Sequence, residues 1–247
     1  MKIVTFKNPP ITEALLDIRV TLPSGFDINT LEEFTNKIRS EFPVKQVNTQ
    51  WETSFQLKKG ENPVVTAKDS TNGFLYKTNN NSKIVQARVD GFTFNKLKPY
   101  SDWARFSKEA KMLWELYVRI AKPVNITRVA LRYINLIEIP LPIKDFKEYF
   151  LTGPEITPSL PQGLSEFFIR LVIPDQETNN TAIITETIDQ GKLNEKTLPL
   201  IFDLDVFKIV DIAADDKKLW EIFKSLREYK NKVFFNTFTD KAKKLFD

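Results

Sequence analysis

Apolar and polar positions alternate with period two over residues 11–22. Leu16, Ile18, Val20 and Leu22 fall on one side, and Asp17, Arg19 and Thr21 on the other. That pattern predicts a strand with one buried face. Pro23-Ser24-Gly25 ends it. Leu31, Phe34, Ile38 and Phe42 then recur at helical spacing, with Thr30 and Glu33 placed as a capping box and Pro43 as the stop. Strands follow from residue 49. Their turns fall at Lys59-Gly60-Glu61-Asn62, at the hairpin dipeptide Asn72-Gly73 and at Asn79-Asn80-Asn81, and residues 84–97 read as one strand. Ser101 and Asp102 open a long helix whose stripe is Trp103, Phe106, Ala110, Leu113, Trp114, Tyr117 and Ala121.

The second half opens at Ile126 with a strand to residue 139, and residues 145–151 read as a short helix. Residues 153–163 are Pro-rich and predict an irregular loop. Strands are expected at 166–173, 181–188 and 198–209. A helix then carries Leu219, Ile222, Phe223 and Leu226 on one face, and Thr239 caps a last short helix.

The order in each half is strand, helix, antiparallel strands, long helix. Ile11-Thr12 and Ile126-Thr127 lie 115 residues apart, and Trp103 and Trp220 lie 117 apart. The expectation is one α+β unit over residues 1–247, made of two similar halves, 1–123 and 124–247. A curved antiparallel sheet carries the long helices on one face. This plan resembles the TATA-binding-protein-like folds in topology.

Composition narrows the chemistry. The chain has neither His nor Cys. Disulfides, thiolate catalysis, Ser-His-Asp triads and His-based metal sites are therefore excluded within it. With 7 Gly it holds no P-loop or dinucleotide fingerprint, and no cofactor is implied. The N-terminal residues lack a secretory core, and no apolar run is long enough to span a bilayer, which predicts a cytoplasmic protein. A formal charge of +4 permits an acidic partner without requiring one.

Several groups of residues are candidates for function. Arg128 and Arg132 share a strand face and could hold a phosphate or carboxylate, or pair with Glu13, Asp17 or Glu186. Asn135 lies on the opposite face among Val129, Leu131, Tyr133 and Ile137, where it must find hydrogen-bond partners. Asp203 and Asp205 share a face, and could bind a divalent metal with further acids such as Glu186 or Asp211, or answer Arg132 or Arg170. Basic residues near aromatics form two clusters. One is Lys96, Lys98, Tyr100, Trp103 and Arg105; the other runs from Lys230 to Lys244 beside Phe234 and Phe235. Either could meet nucleic acid, or lie on solvated helices.

Four segments together resemble a sporadically distributed, uncharacterised bacterial protein family of about this length. They are Asn8-Pro9-Pro10-Ile11-x-Glu13-Ala14, Arg132-Tyr133-Ile134-Asn135, Asp203-x-Asp205, and Leu226-Arg227 through Phe235 to Thr239-Asp240. The resemblance implies no chemistry. Arg227 stands where members of that family often have His.

Together these features point first to a non-catalytic binding or interaction protein, with a protein or nucleic-acid partner, no membrane, and self-association possible. A second reading is a small anionic ligand held between sheet and long helices by Arg132 and Arg170. A third is a carboxylate-metal hydrolase using Asp203 and Asp205.

Overall fold

A computed structural model describes residues 6–56, 64–215 and 217–247, with side chains outside residues 51–68. Strand β1 (Ile11–Thr21) buries Leu16, Ile18 and Val20, as its alternation predicts, and Ala14 with them, while Leu22 lies just past its end and is half-buried. A 3-10 turn at Ile28–Leu31 leads into α1 (Glu32–Ile38). The cap differs from expectation. Asp27, not Thr30, accepts from the Asn29 N–H, so the turn begins three residues earlier.

The next four strands are β2 (Val44–Gln56), β3 (Val64–Lys77), β4 (Lys83–Arg88) and β5 (Gly91–Leu97). Two expected boundaries are corrected here. Asn72-Gly73 is not a hairpin. Gly73 sits inside β3, where the β4 backbone comes so close that any Cβ would collide with the Ala87 carbonyl oxygen. Residues 84–97 are two strands, because the chain turns at Val89-Asp90. Gly91 has φ 156°, and a Cβ there would strike the Ile18 carbonyl oxygen. The expected turn at Lys59-Gly60-Glu61-Asn62 lies outside the described residues.

Helix α2 (Trp103–Ala121) is capped by the Asp102 side chain, which accepts from the Arg105 N–H. Strand β6 (Asn125–Pro140) follows. The short helix expected over 145–151 shrinks to a 3-10 turn at Phe146–Glu148. Strands β7 (Phe168–Asp175), β8 (Asn180–Ile188) and β9 (Thr197–Ala213) complete the sheet. Helices α3 (Lys218–Thr237) and α4 (Asp240–Lys243) close the chain, with Thr239 capping α4 as expected.

The nine strands of the described residues form one curved antiparallel sheet in the order β2-β3-β4-β5-β1-β6-β9-β8-β7. Strands β1 and β6 lie side by side at its centre. The helices pack on one face. Phe106 stacks on Phe94, Trp114 meets Phe92 edge-on, and Phe202 meets Phe234 and Phe238. Burying each such side chain contributes roughly 1.5–3 kcal/mol. The other face carries the polar alternates. The fold class is α+β, as the pattern predicts. No helix among the described residues is long and apolar enough to cross a membrane.

Candidate functional site

The arginines singled out in β6 point to the face without helices, and they meet carboxylates there. Arg132 donates through Nε to Asp203 at 2.7 Å, and its terminal nitrogen also bonds Asp203. Arg128 lies 3.0 Å from Asp205 and 3.5 Å from Asp17, with its guanidinium over the Phe207 ring. Asp17 is buried and also accepts from Arg88 at 2.9 Å and Thr93 at 2.7 Å. Burial alone would raise its carboxyl, but the Arg88 and Arg19 guanidinium groups and these hydrogen bonds hold it below the usual range. Burial wins for Asp205 and raises it, with Arg128 and Arg132 opposing.

Asp203 and Asp205 thus each face an arginine. Among the described residues no three acidic, His or Cys groups gather as metal ligands. Glu186, considered as a partner for either set, points the other way. It alternates with Ala182, Ile184 and Ile188 on the helix face, fully buried. Arg170 is exposed on β7, opposite Thr185, and makes no ion pair among the described residues. It lies three strands from Arg132, about 14 Å at the usual strand spacing, so the two do not share one small anion. Arg132 is 41% exposed. Asp203→Ala is therefore expected to cost only about 1 kcal/mol in urea denaturation.

A different group of polar residues converges on the helix face. The chain enters β1 through Pro9-Pro10, which has no amide N–H to offer. Its direction is fixed by what surrounds it: Asn8 donates its N–H to the Phe246 carbonyl at 2.8 Å, and Leu136 donates to the Pro10 carbonyl at 2.9 Å. Just beyond, the β1–β6 register shifts between Ile11 and Glu13. This leaves a solvent-open cavity of about 170 Å³ between the end of the central strands, the start of α2 and the last turns of α3. Its apolar wall is Phe6, Pro9, Pro10, Trp103, Phe234 and Phe235. Its polar groups include Tyr100, Asp102, Tyr133, Asn135, Arg227 and Lys230.

Each polar group is held by local structure. The Tyr100 and Tyr133 hydroxyls hydrogen-bond at 2.8 Å, with the rings edge to face. Burial pushes Tyr100 up to about 12 and raises Tyr133 well above the usual range, so both keep their protons at neutral pH. Asn135 is buried, and its amide donates to the Phe202 carbonyl at 3.1 Å and the Tyr133 carbonyl at 3.3 Å. Arg227 and Lys230 project from successive turns of α3. The Arg227 guanidinium lies 5.5 Å from the Trp103 ring, and the Lys230 ammonium 4.1 Å from the Tyr133 ring. Neither has a carboxylate within ion-pair distance among the described residues, and Asp102 is turned to Arg105 at 3.4 Å. Lys230 as a residue keeps partial access through the cavity, but its ammonium lies deep among protein atoms. Desolvation, and then the Arg227 charge, lower its pKa to about 7.

Of the predicted site residues, only Asn135 lines this cavity. Arg128, Arg132, Asp203 and Asp205 lie together on the opposite face, and Arg170 near the sheet edge. Tyr133 and Arg227 were not predicted as site residues for a ligand, and Tyr100 and Lys230 were placed only in two separate basic clusters that meet nucleic acid or lie on solvated helices. One signal was present in the sequence: Lys230 interrupts the stripe Leu219, Phe223, Leu226, Phe234 of α3, a place where a charge is costly. Three of the four segments behind the family resemblance supply cavity residues: Pro9, Pro10 and Ile11; Tyr133 and Asn135; Arg227, Phe234 and Phe235. The fourth, Asp203-x-Asp205, does not. No family model and no curated protein matches the chain.

Proposed function

We propose that the protein binds a small organic anion in the cavity between the central strands and helices α2 and α3. The observation that carries this reading is the pair Arg227 and Lys230, two cations without a carboxylate partner on the wall of an aromatic cavity. Two adjacent unpaired cations repel each other, and a carboxylate or phosphate would satisfy both. A cavity of about 170 Å³ suits a group of about one aromatic ring, by comparison with a dry 150 Å³ cavity that takes up benzene. Asn135 spends its two amide hydrogens on carbonyls, so it supports the wall and leaves recognition to the side chains of α3.

The polar sheet face is less suited to a polyanion or a metal, because Arg128 and Arg132 already meet Asp17, Asp203 and Asp205. The sheet order supports a further proposal, that the two halves are a structural repeat. Outward from the centre, β1, β5, β4 and β3 answer to β6, β9, β8 and β7, and α2 to α3.

A thermal-shift series with benzoate, phosphate and a short oligonucleotide tests the anion reading. Benzoate at about 100 times its Kd is expected to add about 2.7 kcal/mol, a rise of roughly 5–10 °C for a chain of this length. Arg227→Gln is expected to weaken it at least about tenfold, the cost of one charge-assisted contact. A shift that survives both Arg227→Gln and Lys230→Met, or no shift with any anion, overturns it.

A further inference from the structure

We propose that Lys230 is a nucleophile that forms an imine with small oxo acids or aldehyde acids held in this cavity. The proposal rests on the anion-binding reading of the same site and adds the chemistry of its ligand.

An amine that adds to a carbonyl must be neutral, near a recognition group for the rest of the substrate, and shielded from competing water. The groups facing Lys230 meet these needs. Arg227 stands one turn back on α3 and can take the carboxylate of the substrate, leaving the carbonyl toward Lys230. No carboxylate in the cavity pairs with the amine to hold it protonated, since Asp102 faces Arg105. The Tyr133 ring packs against the ammonium and limits its hydration. Its lowered pKa, about 7, leaves roughly half the amine neutral at neutral pH.

The step balances without an oxidant or reductant. The Lys230 nitrogen attacks the carbonyl carbon, and the carbon–oxygen π pair moves to oxygen. The resulting carbinolamine loses its hydroxyl as water, and a carbon–nitrogen double bond forms. One water is released for each imine. The hydrogen-bonded hydroxyls of Tyr100 and Tyr133, protonated at neutral pH, lie in the same cavity. They can lend the proton that the departing oxygen needs and recover one from the nitrogen.

The experiment uses the intact protein with glyoxylate and with 4-formylbenzoate. Aliquots are quenched with borohydride, which reduces an imine to a stable secondary amine, and peptides are read by mass. The expected result is one adduct per chain, on Lys230, absent in Lys230→Met and slowed by competing benzoate. At aldehyde concentrations well below saturation, its rate is expected to rise about tenfold from pH 6 to pH 8 and then level off, following the neutral fraction of the free protein's amine titrating near 7. Exposed lysines, titrating near 10.4, would keep climbing. Adducts spread over exposed lysines, or none, while benzoate still raises the Tm, would overturn the nucleophile and leave the anion site standing. No adduct together with no benzoate shift would overturn both.

Discussion

Lys230→Met is expected to stabilise the ligand-free protein at pH 7 while weakening anion binding, which Arg227 alone then supports. Lysine in the unfolded chain titrates near 10.4, and Lys230 in the fold near 7. Between these values the unfolded chain holds a proton that the folded chain does not, so stability rises with pH from about 7 to about 10. At and below pH 7 the folded protein bears close to the full cost of a buried cation. The shift would suggest more than 4 kcal/mol. The cavity admits some water, so a gain on the order of 3 kcal/mol is expected for methionine, which keeps the volume and drops the charge. Urea denaturation at pH 7 and pH 10 reads this directly. The variant should be more stable than the parent at pH 7, and the two should converge by pH 10. A variant less stable at pH 7 would mean that the ammonium has a stabilising partner and that the cavity is not an unfilled anion site. A residue that destabilises the empty fold but improves it once a ligand binds is the usual mark of function.

Glu186→Leu is expected to give a gain of similar size with the opposite pH dependence. Glu186 is fully buried on β8, with Ile169 and Phe202 as its cross-strand neighbours, and neither carboxyl oxygen finds a hydrogen-bond partner among the described residues. Desolvation raises its pKa to about 8. Between about 4.3 and 8 the folded state keeps a proton that the unfolded state releases, so stability falls as pH rises through that window. Leucine removes the slope, for a gain on the order of 3 kcal/mol at pH 7 and a clearly smaller one at pH 4, where only the unpartnered neutral carboxyl is lost. The check is the stability difference between parent and variant at those two pH values. An equal difference at both would show that the carboxyl has no shifted titration in the fold.

Much of the fold could be read from periodicity. The strand of residues 11–22, the α2 stripe ending in Ala121 and the long strand from Ile126 all stand where alternation or helical spacing places them. The failures have local causes. Asn72-Gly73 carries the chemistry of a tight turn, but Gly73 is required by close backbone approach inside a strand. The bend at Val89-Asp90 carries a turn signal in the dipeptide Asp90-Gly91, but its glycine is already the first residue of β5, and the apolar positions on either side of it read as one strand.

The site was harder to read. Alternation correctly placed Arg128 and Arg132 on one face and Asn135 on the other. It could not show that Asp203 and Asp205, some seventy residues later, lie in register beside those arginines. Nor could it show that the entry segment around Pro9, the middle of the chain at Tyr133 and the end of α3 enclose one cavity. These are long-range pairings set by sheet order. Lys230 was legible only as a charge interrupting an apolar stripe, and among five C-terminal lysines it was read as part of a solvated face.

Calorimetric titration of benzoate at pH 7, in two buffers of different ionisation enthalpy, tests the central claim most directly. An anion beside Lys230 draws it from about half protonated to fully protonated, so binding is expected to take up about half a proton. Affinity should strengthen as pH falls from 8 to 6, and Lys230→Met should show no uptake. Binding with no proton uptake, or uptake that persists in Lys230→Met, would contradict the assignment of this cavity as the anion site.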